Sequence, residues 1–172
     1  DASSDEDGFL IEYRAVSAGE AFPGSATTTV TGATSFALTG LTAAQTYEVR
    51  IASFNSNGTS TYALASTFTT LPATPPAPTV TAQSQTDISV RVNRGENSTS
   101  TQYAVYWVDR GYLTAAGAVT TTDMVWQSTS TWSTISLASL TCGTNYRFVT
   151  VARNVSSIRS ATSTVGAAYT TD

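Results

Sequence analysis

The chain has 172 residues, of which 41% are hydrophobic and 12% charged, and its formal net charge is −4. All eight basic residues are arginine, with no lysine and no histidine. That excludes a Ser-His-Asp triad, a Cys-His pair, a Schiff-base lysine and a Ser-Lys dyad. The weakly acidic balance offers no basic patch for nucleic acid, and no apolar run approaches the roughly 20 residues of a membrane helix. Serine and threonine make up roughly a third of the chain, far above the globular norm. No signal peptide opens it, as expected of a mature or trimmed chain.

The first residues hold the one acidic cluster, Asp1 with Asp5-Glu6-Asp7. Two readings are open: calcium at a domain junction, because hard cations collect carboxylate and carbonyl oxygens, or a solvated turn ending in Gly8. The turn is the expectation carried forward, with no metal and no cofactor. Phe9, Ile11 and Tyr13 then alternate with polar residues, as do Phe36 with Leu38, and Tyr47 with Val49 and Ile51. Period-2 alternation between Gly, Asn and Pro breaks reads as half-buried strands. The stretch Thr70-Leu-Pro-Ala-Thr-Pro-Pro-Ala-Pro78 carries four prolines. Fixed φ angles make it an extended, stiff spacer and the natural domain boundary.

Beyond it Ile88, Val90 and Val92 alternate, then Tyr103, Val105 and Trp107, then Ile135 and Leu137. Helix signals are weak throughout, so an all-β chain is expected. Arg94-Gly-Glu96 and Trp132-Ser-Thr read as ordinary loop and strand sequence. Cys142, the single cysteine, excludes an internal disulfide and reads as a small, partly buried packing residue. N-x-[ST] sequons at Asn57, Asn97 and Asn154 fall in loop-like stretches, which permits glycosylation.

One stretch occurs twice. Leu41-Thr-Ala-Ala-Gln-Thr-Tyr47 running on to Asn55 recurs as Leu140-Thr-Cys-Gly-Thr-Asn-Tyr146 running on to Asn154. A Leu six residues before a Tyr that opens a strand resembles the tyrosine corner of the fibronectin type III family. Tyr103-Ala-Val105-Tyr-Trp107 resembles that family's strand C, Phe9-Leu-Ile11-Glu-Tyr13-Arg14 its counterpart, and Pro78-Thr-Val80 its strand A. Ile88 to Val92 would be strand B, with Val92 where the family usually has a core Trp. The resemblance implies two tandem immunoglobulin-like β-sandwiches: a partial domain over 1–71 with strands C to G, a linker over 72–78, and a complete domain over 79–172. In the first copy strands A and B are missing.

A sandwich without those strands leaves Phe9, Ile11, Phe36, Leu38, Val49 and Ile51 as an uncovered groove, a candidate strand acceptor. Each large side chain left wet forfeits roughly 1.5–3 kcal/mol. Either an upstream part of the same protein completes the domain, or a neighbouring subunit lends a strand and chains link into a homo-oligomer or polymer. In the second copy Tyr106, Val108, Val149 and Val151 point to the outer sheet face and form a candidate protein interface. A bulge that turns some of them inward is the competing reading, and Thr150 at a nominally inward position raises it.

The resemblance implies a non-catalytic, extracellular or cell-surface structural and adhesive module, a repeated unit of a surface fibre or larger protein. Two alternatives stand beside it: a virion surface or tail component, and the accessory part of a secreted polysaccharide-degrading enzyme. For the last, Tyr112 and Trp126 are the exposed aromatics expected to bind carbohydrate.

Overall fold

The computed structural model describes residues 5–16, 21–29 and 32–170. Its contacts divide into two units. The first comprises Asp1–Leu41 and Gln45–Thr70, the second Thr42–Ala44 and Leu71–Asp172.

The first unit is one antiparallel sheet. Strands β1 (Gly8–Ala15), β2 (Ser25–Thr28), β3 (Thr46–Asn55) and β4 (Gly58–Thr59) lie in the order β2-β1-β3-β4, and β5 (Ser66–Thr69) also pairs with β3. Ile11 stands opposite Ile51 and Tyr13 opposite Val49, while Glu12 faces Arg50 and Arg14 faces Glu48. Period 2 therefore gives the sheet an apolar face and a charged face. Ile11, Tyr47 and Ala52 are buried. Phe36 and Leu38 depart from expectation: residues 33–39 form no strand. Alternation prepares a strand, but a strand exists only where a neighbour takes up its backbone N–H and C=O groups.

The second unit has two packed sheets. Its strands are β6 (Thr79–Ala82), β7 (Ile88–Arg91), β8 (Gln102–Trp107), β9 (Gly111–Leu113), β10 (Val119–Thr120), β11 (Gln127–Ser128), β12 (Thr134–Leu137), β13 (Asn145–Arg153), β14 (Arg159–Thr162) and β15 (Gly166–Tyr169), with one short helix, α1 (Thr129–Trp132). One sheet runs β10-β9-β8-β13-β14, with β11 added beside β8 and β15 beside β13; the other runs β12-β7-β6. Ile88, Val90, Ile135 and Leu137 of the small sheet meet Tyr103, Val105, Trp107 and Phe148 of the large one in a single core. Burial pushes the Tyr103 phenol up to about 12. At the tyrosine corner, Tyr146 takes the Thr141 N–H at 2.9 Å and donates its hydroxyl to the Thr141 carbonyl at 3.3 Å.

The proline stretch is packed rather than a free spacer, with Pro75 and Pro78 buried. Gly95 has φ +62°, and a Cβ there would come within 2.7 Å of Pro76 Cδ. Only glycine suits both the left-handed backbone and that close approach. This is the role of Arg94-Gly-Glu96.

Candidate functional site

All six groove residues named from sequence line one apolar hollow of about 510 Å³ in the first unit. Phe9, Ile11, Val49 and Ile51 form its floor on β1 and β3, and Phe36 and Leu38 form its wall. The second unit shows what such a floor looks like when covered. Aligning Tyr47 with Tyr146 places Ile51 at the position of Thr150 and Ile11 at that of Val105. Val105 and Thr150 are 0% and 1% exposed beneath the β12-β7-β6 sheet, whereas Ile51 is 41% and Phe36 46% exposed. A polar residue is thus buried where the cover exists, and an isoleucine is wet where it does not.

The opposite face of the first unit is closed by charge. Arg14 pairs with Glu48 at 2.6 Å and Arg50 with Glu12 at 2.6 Å. The Tyr62 hydroxyl donates to Glu12 Oε1 at 2.6 Å. The Phe22 ring lies beneath both guanidiniums, at 4.6 and 4.3 Å, and Tyr62 stacks on Arg50 at 4.0 Å. The Tyr62 hydrogen bond holds the Glu12 carboxyl below its usual range, against burial and with help from Arg50, and the same bond raises the Tyr62 phenol. The signs set a pH window. Glu12 stabilises the fold above the ordinary carboxylate value, and that contribution is lost as pH falls through its lowered one. Tyr62 stabilises below the ordinary phenol value, and its contribution is lost as pH rises through the raised one. Tyr62→Phe is therefore expected to make Glu12 titrate at higher pH and to move acid unfolding of this unit to higher pH. Side-chain carboxyl NMR measures the first effect, and a Glu12 titration unchanged by the substitution would contradict it.

The predicted interface of the second unit is not an open apolar patch. Val151 is 7% exposed and its neighbour Ala104 is 1%. Tyr106 packs on Tyr112 with ring centroids 5.1 Å apart. Val149 shares with Met124 and Tyr112 a hollow of only about 110 Å³, and Val108 is half-buried. The reason is local: residues between β10 and β11 bring Met124 over this face of the sheet. The register does shift between Val151 and Arg153, where β13 meets β14. Thr150 points into the core, where its hydroxyl oxygen has no hydrogen-bond partner.

Trp126 and Tyr112 are half-buried rather than exposed. Arg153 and Arg159 lie over the Trp126 ring at 4.5 and 5.3 Å, so its π surface is already engaged. The two aromatics share a shallow polar hollow with Asp123 and Arg159. Of the three sequons, only Asn57 is at the surface. Asn97 is 0% and Asn154 3% exposed. The Asn154 side-chain oxygen takes the N–H groups of Ser156 and Ile158 at 3.1 and 3.0 Å, which shapes the turn before β14. A buried, hydrogen-bonded amide is no glycan acceptor, which corrects the expectation for both residues. Cys142 is free and exposed, not part of the packing. Asp1 lies outside the described residues.

Sequence reasoning missed Trp132. It heads the fully buried side chains of the second unit, and its indole N–H donates to the Tyr103 carbonyl at 2.7 Å. The signal that could have found it was the valine at position 92, where the resemblance calls for an indole. Among the described residues no three His, Cys, Asp or Glu side chains are grouped to hold a metal, and no helix is long and apolar enough to cross a membrane.

The fibronectin type III domain model matches residues 1–69. A two-domain fibronectin type III segment of chicken tenascin is similar in fold, with a TM-score of 0.58 and 16% identity, covering 99% of this chain and 87% of that one. The FN1–FN3 domains of chicken CNTN1 align with a TM-score of 0.38 and 15% identity, over 98% of this chain and 55% of theirs. This chain therefore spans about half the length of that second structure. No curated protein matches the sequence.

Proposed function

We propose, from the premise that residues 1–69 match the fibronectin type III domain model and that the chain has the fold of two such domains in tandem, the first with one sheet only, that it is a non-catalytic structural and adhesive module of an extracellular or cell-surface assembly. The observation that carries the reading is the open apolar groove of the first unit. Its partner is a β-strand supplied by another polypeptide, which adds beside residues 35–38 and covers Ile51 and Phe36. Strand addition gives affinity through main-chain hydrogen bonds and selects side chains at alternate positions. The second unit supplies the internal precedent: β7 pairs with β12 over four consecutive residues and sends Ile88 and Val90 into the core.

Hydrogen exchange tests the reading. In the isolated chain the amides of Phe36 and Leu38 are expected to exchange as unpaired amides, and in the assembled protein from its natural source they are expected to be protected. Equally fast exchange in both states would sink it.

A further inference from the structure

Strands β13 and β14 set two arginines against each other. Arg153 stands directly opposite Arg159 across the pair, where the register shifts. Like charges placed opposite on neighbouring strands repel. Among the described residues neither arginine forms an ion pair; the ion pairs belong to Arg14, Arg50 and Arg147. Arg153 is held instead by a neutral acceptor, the Gln102 side-chain oxygen, which takes its Nε–H and Nη2–H at 2.9 and 2.7 Å. Both guanidiniums lie over the Trp126 ring. Burial, and then the charge of Arg159, lowers the Arg153 guanidinium below its usual value, in keeping with two cations held close.

Gln102 and Trp126 thus fix Arg153, while Arg159 is exposed and lines a hollow of about 330 Å³ with Tyr112, Thr122, Asp123, Met124 and Trp126. That volume falls in the range of small-molecule sites, roughly 300–1,000 Å³. A guanidinium fork with no carboxylate on it matches an oxyanion that can take two N–H bonds. The second cation, Arg153, raises the local potential further. Asp123 lines the same hollow without pairing with Arg159, so the hollow offers a cation and an anion together. A bare anion would meet repulsion from Asp123. A ligand with a carboxylate for Arg159 and hydroxyl donors for Asp123 suits both, and Tyr112 and Thr122 add hydroxyls of their own. An acidic sugar carries both groups on one ring, which the side chains of an acidic peptide do not.

We infer that this hollow of the second unit binds a uronic-acid saccharide, whose carboxylate takes N–H bonds from Arg159 and whose hydroxyls donate to Asp123. Because the Trp126 ring already carries the guanidiniums, the sugar does not stack on it and is read by charge and hydroxyl instead. The site supplies the adhesive module with a ligand of its own. It lies in the other unit from the strand-accepting groove, so the two sites stand or fall separately.

The test uses the whole chain and trigalacturonate as the probe, followed by the indole N–H resonance of Trp126. A saturable shift is expected, and it should weaken as NaCl rises from about 50 to about 500 mM. The trimethyl ester of the same trisaccharide keeps the hydroxyls and loses the charge, and it is expected to bind at least about tenfold more weakly. Arg159→Gln is expected to weaken the free acid by a similar factor. Arg159 is exposed, so that variant should keep its fold, which an unshifted Trp132 indole resonance verifies. If it does not fold, the ester comparison decides alone. A Trp126 resonance unmoved by the free acid overturns the site, as does equal affinity for the ester or in a folded Arg159→Gln. Sodium acetate and triglutamate, at the same carboxylate concentration, are expected to leave the resonance unmoved. A response to either as strong as that to trigalacturonate overturns the saccharide, in favour of a free anion or an acidic peptide.

Discussion

Trp132→Ala is expected to lower the stability of the second unit by about 3–5 kcal/mol, the range for truncating a buried aromatic. Against a typical domain stability of roughly 5–15 kcal/mol, that puts the fold near failure. Trp132 is 1% exposed and belongs to the core of the second unit. Its position is set by a single turn of helix. Ser128 caps that turn, its hydroxyl oxygen taking the Thr131 N–H at 3.2 Å, and Ser133 leaves it at φ +45°. Truncation opens a large cavity and strips the Tyr103 carbonyl of the indole N–H that meets it at 2.7 Å. Trp132→Phe separates the two losses. It keeps an aromatic ring in the core but not the donor, so about 1–3 kcal/mol is expected from the orphaned carbonyl. Urea denaturation followed by far-UV dichroism measures both. A loss below about 1 kcal/mol for Trp132→Ala would show that the core collapses around the gap and that Trp132 is not its keystone.

The way Trp132 escaped the sequence reading shows where pattern ends and tertiary structure begins. Strands whose neighbours are also strongly patterned were legible. Phe9-Ile11-Tyr13 became β1, Tyr103-Val105-Trp107 became β8, and the Leu140–Tyr146 spacing became a tyrosine corner with its two hydrogen bonds. Period 2 is a local property, and the pleat turns it directly into two faces. The six groove residues were legible for the same reason, since they are the apolar half of that alternation. A lone indole after a run of Ser and Thr carries no period, and only the unfilled place at Val92 pointed to it. Phe36 and Leu38 had the pattern without a ladder, because pairing depends on a distant partner that no local window contains. The outer face of the second unit failed differently. Tyr106, Val149 and Val151 were assigned to the correct side of the sheet, but Met124 comes across from a segment with little periodicity of its own and covers them. Asn97 failed because a three-residue motif does not encode burial.

Asn97→Ala should cost about 2–4 kcal/mol, because three part-buried hydrogen bonds to backbone groups are lost together. The side chain is 0% exposed, in the turn that follows Gly95. Its oxygen accepts the Ala73 N–H at 2.8 Å, and its amide nitrogen donates to the Ala73 carbonyl at 2.9 Å and to the Arg94 carbonyl at 3.2 Å. Asn97 therefore acts on Ala73 as a neighbouring strand would, taking one bond and giving one back. That exchange fastens the proline stretch to the second unit. Alanine removes all three bonds at once. Asn97→Asp should be worse still, because a carboxylate keeps the acceptor for Ala73 N–H but sets negative charge against two carbonyl oxygens. Asn57→Ala is the control: Asn57 is exposed on the β3–β4 turn, and its substitution should stay within about 0.5 kcal/mol. Besides the loss measured in urea, proteolysis is expected to cut within Leu71–Pro78 in Asn97→Ala and to spare that stretch in Asn57→Ala. Equal protection in the two variants would mean that proline rigidity alone holds the stretch in place, and that the Asn97 amide does not.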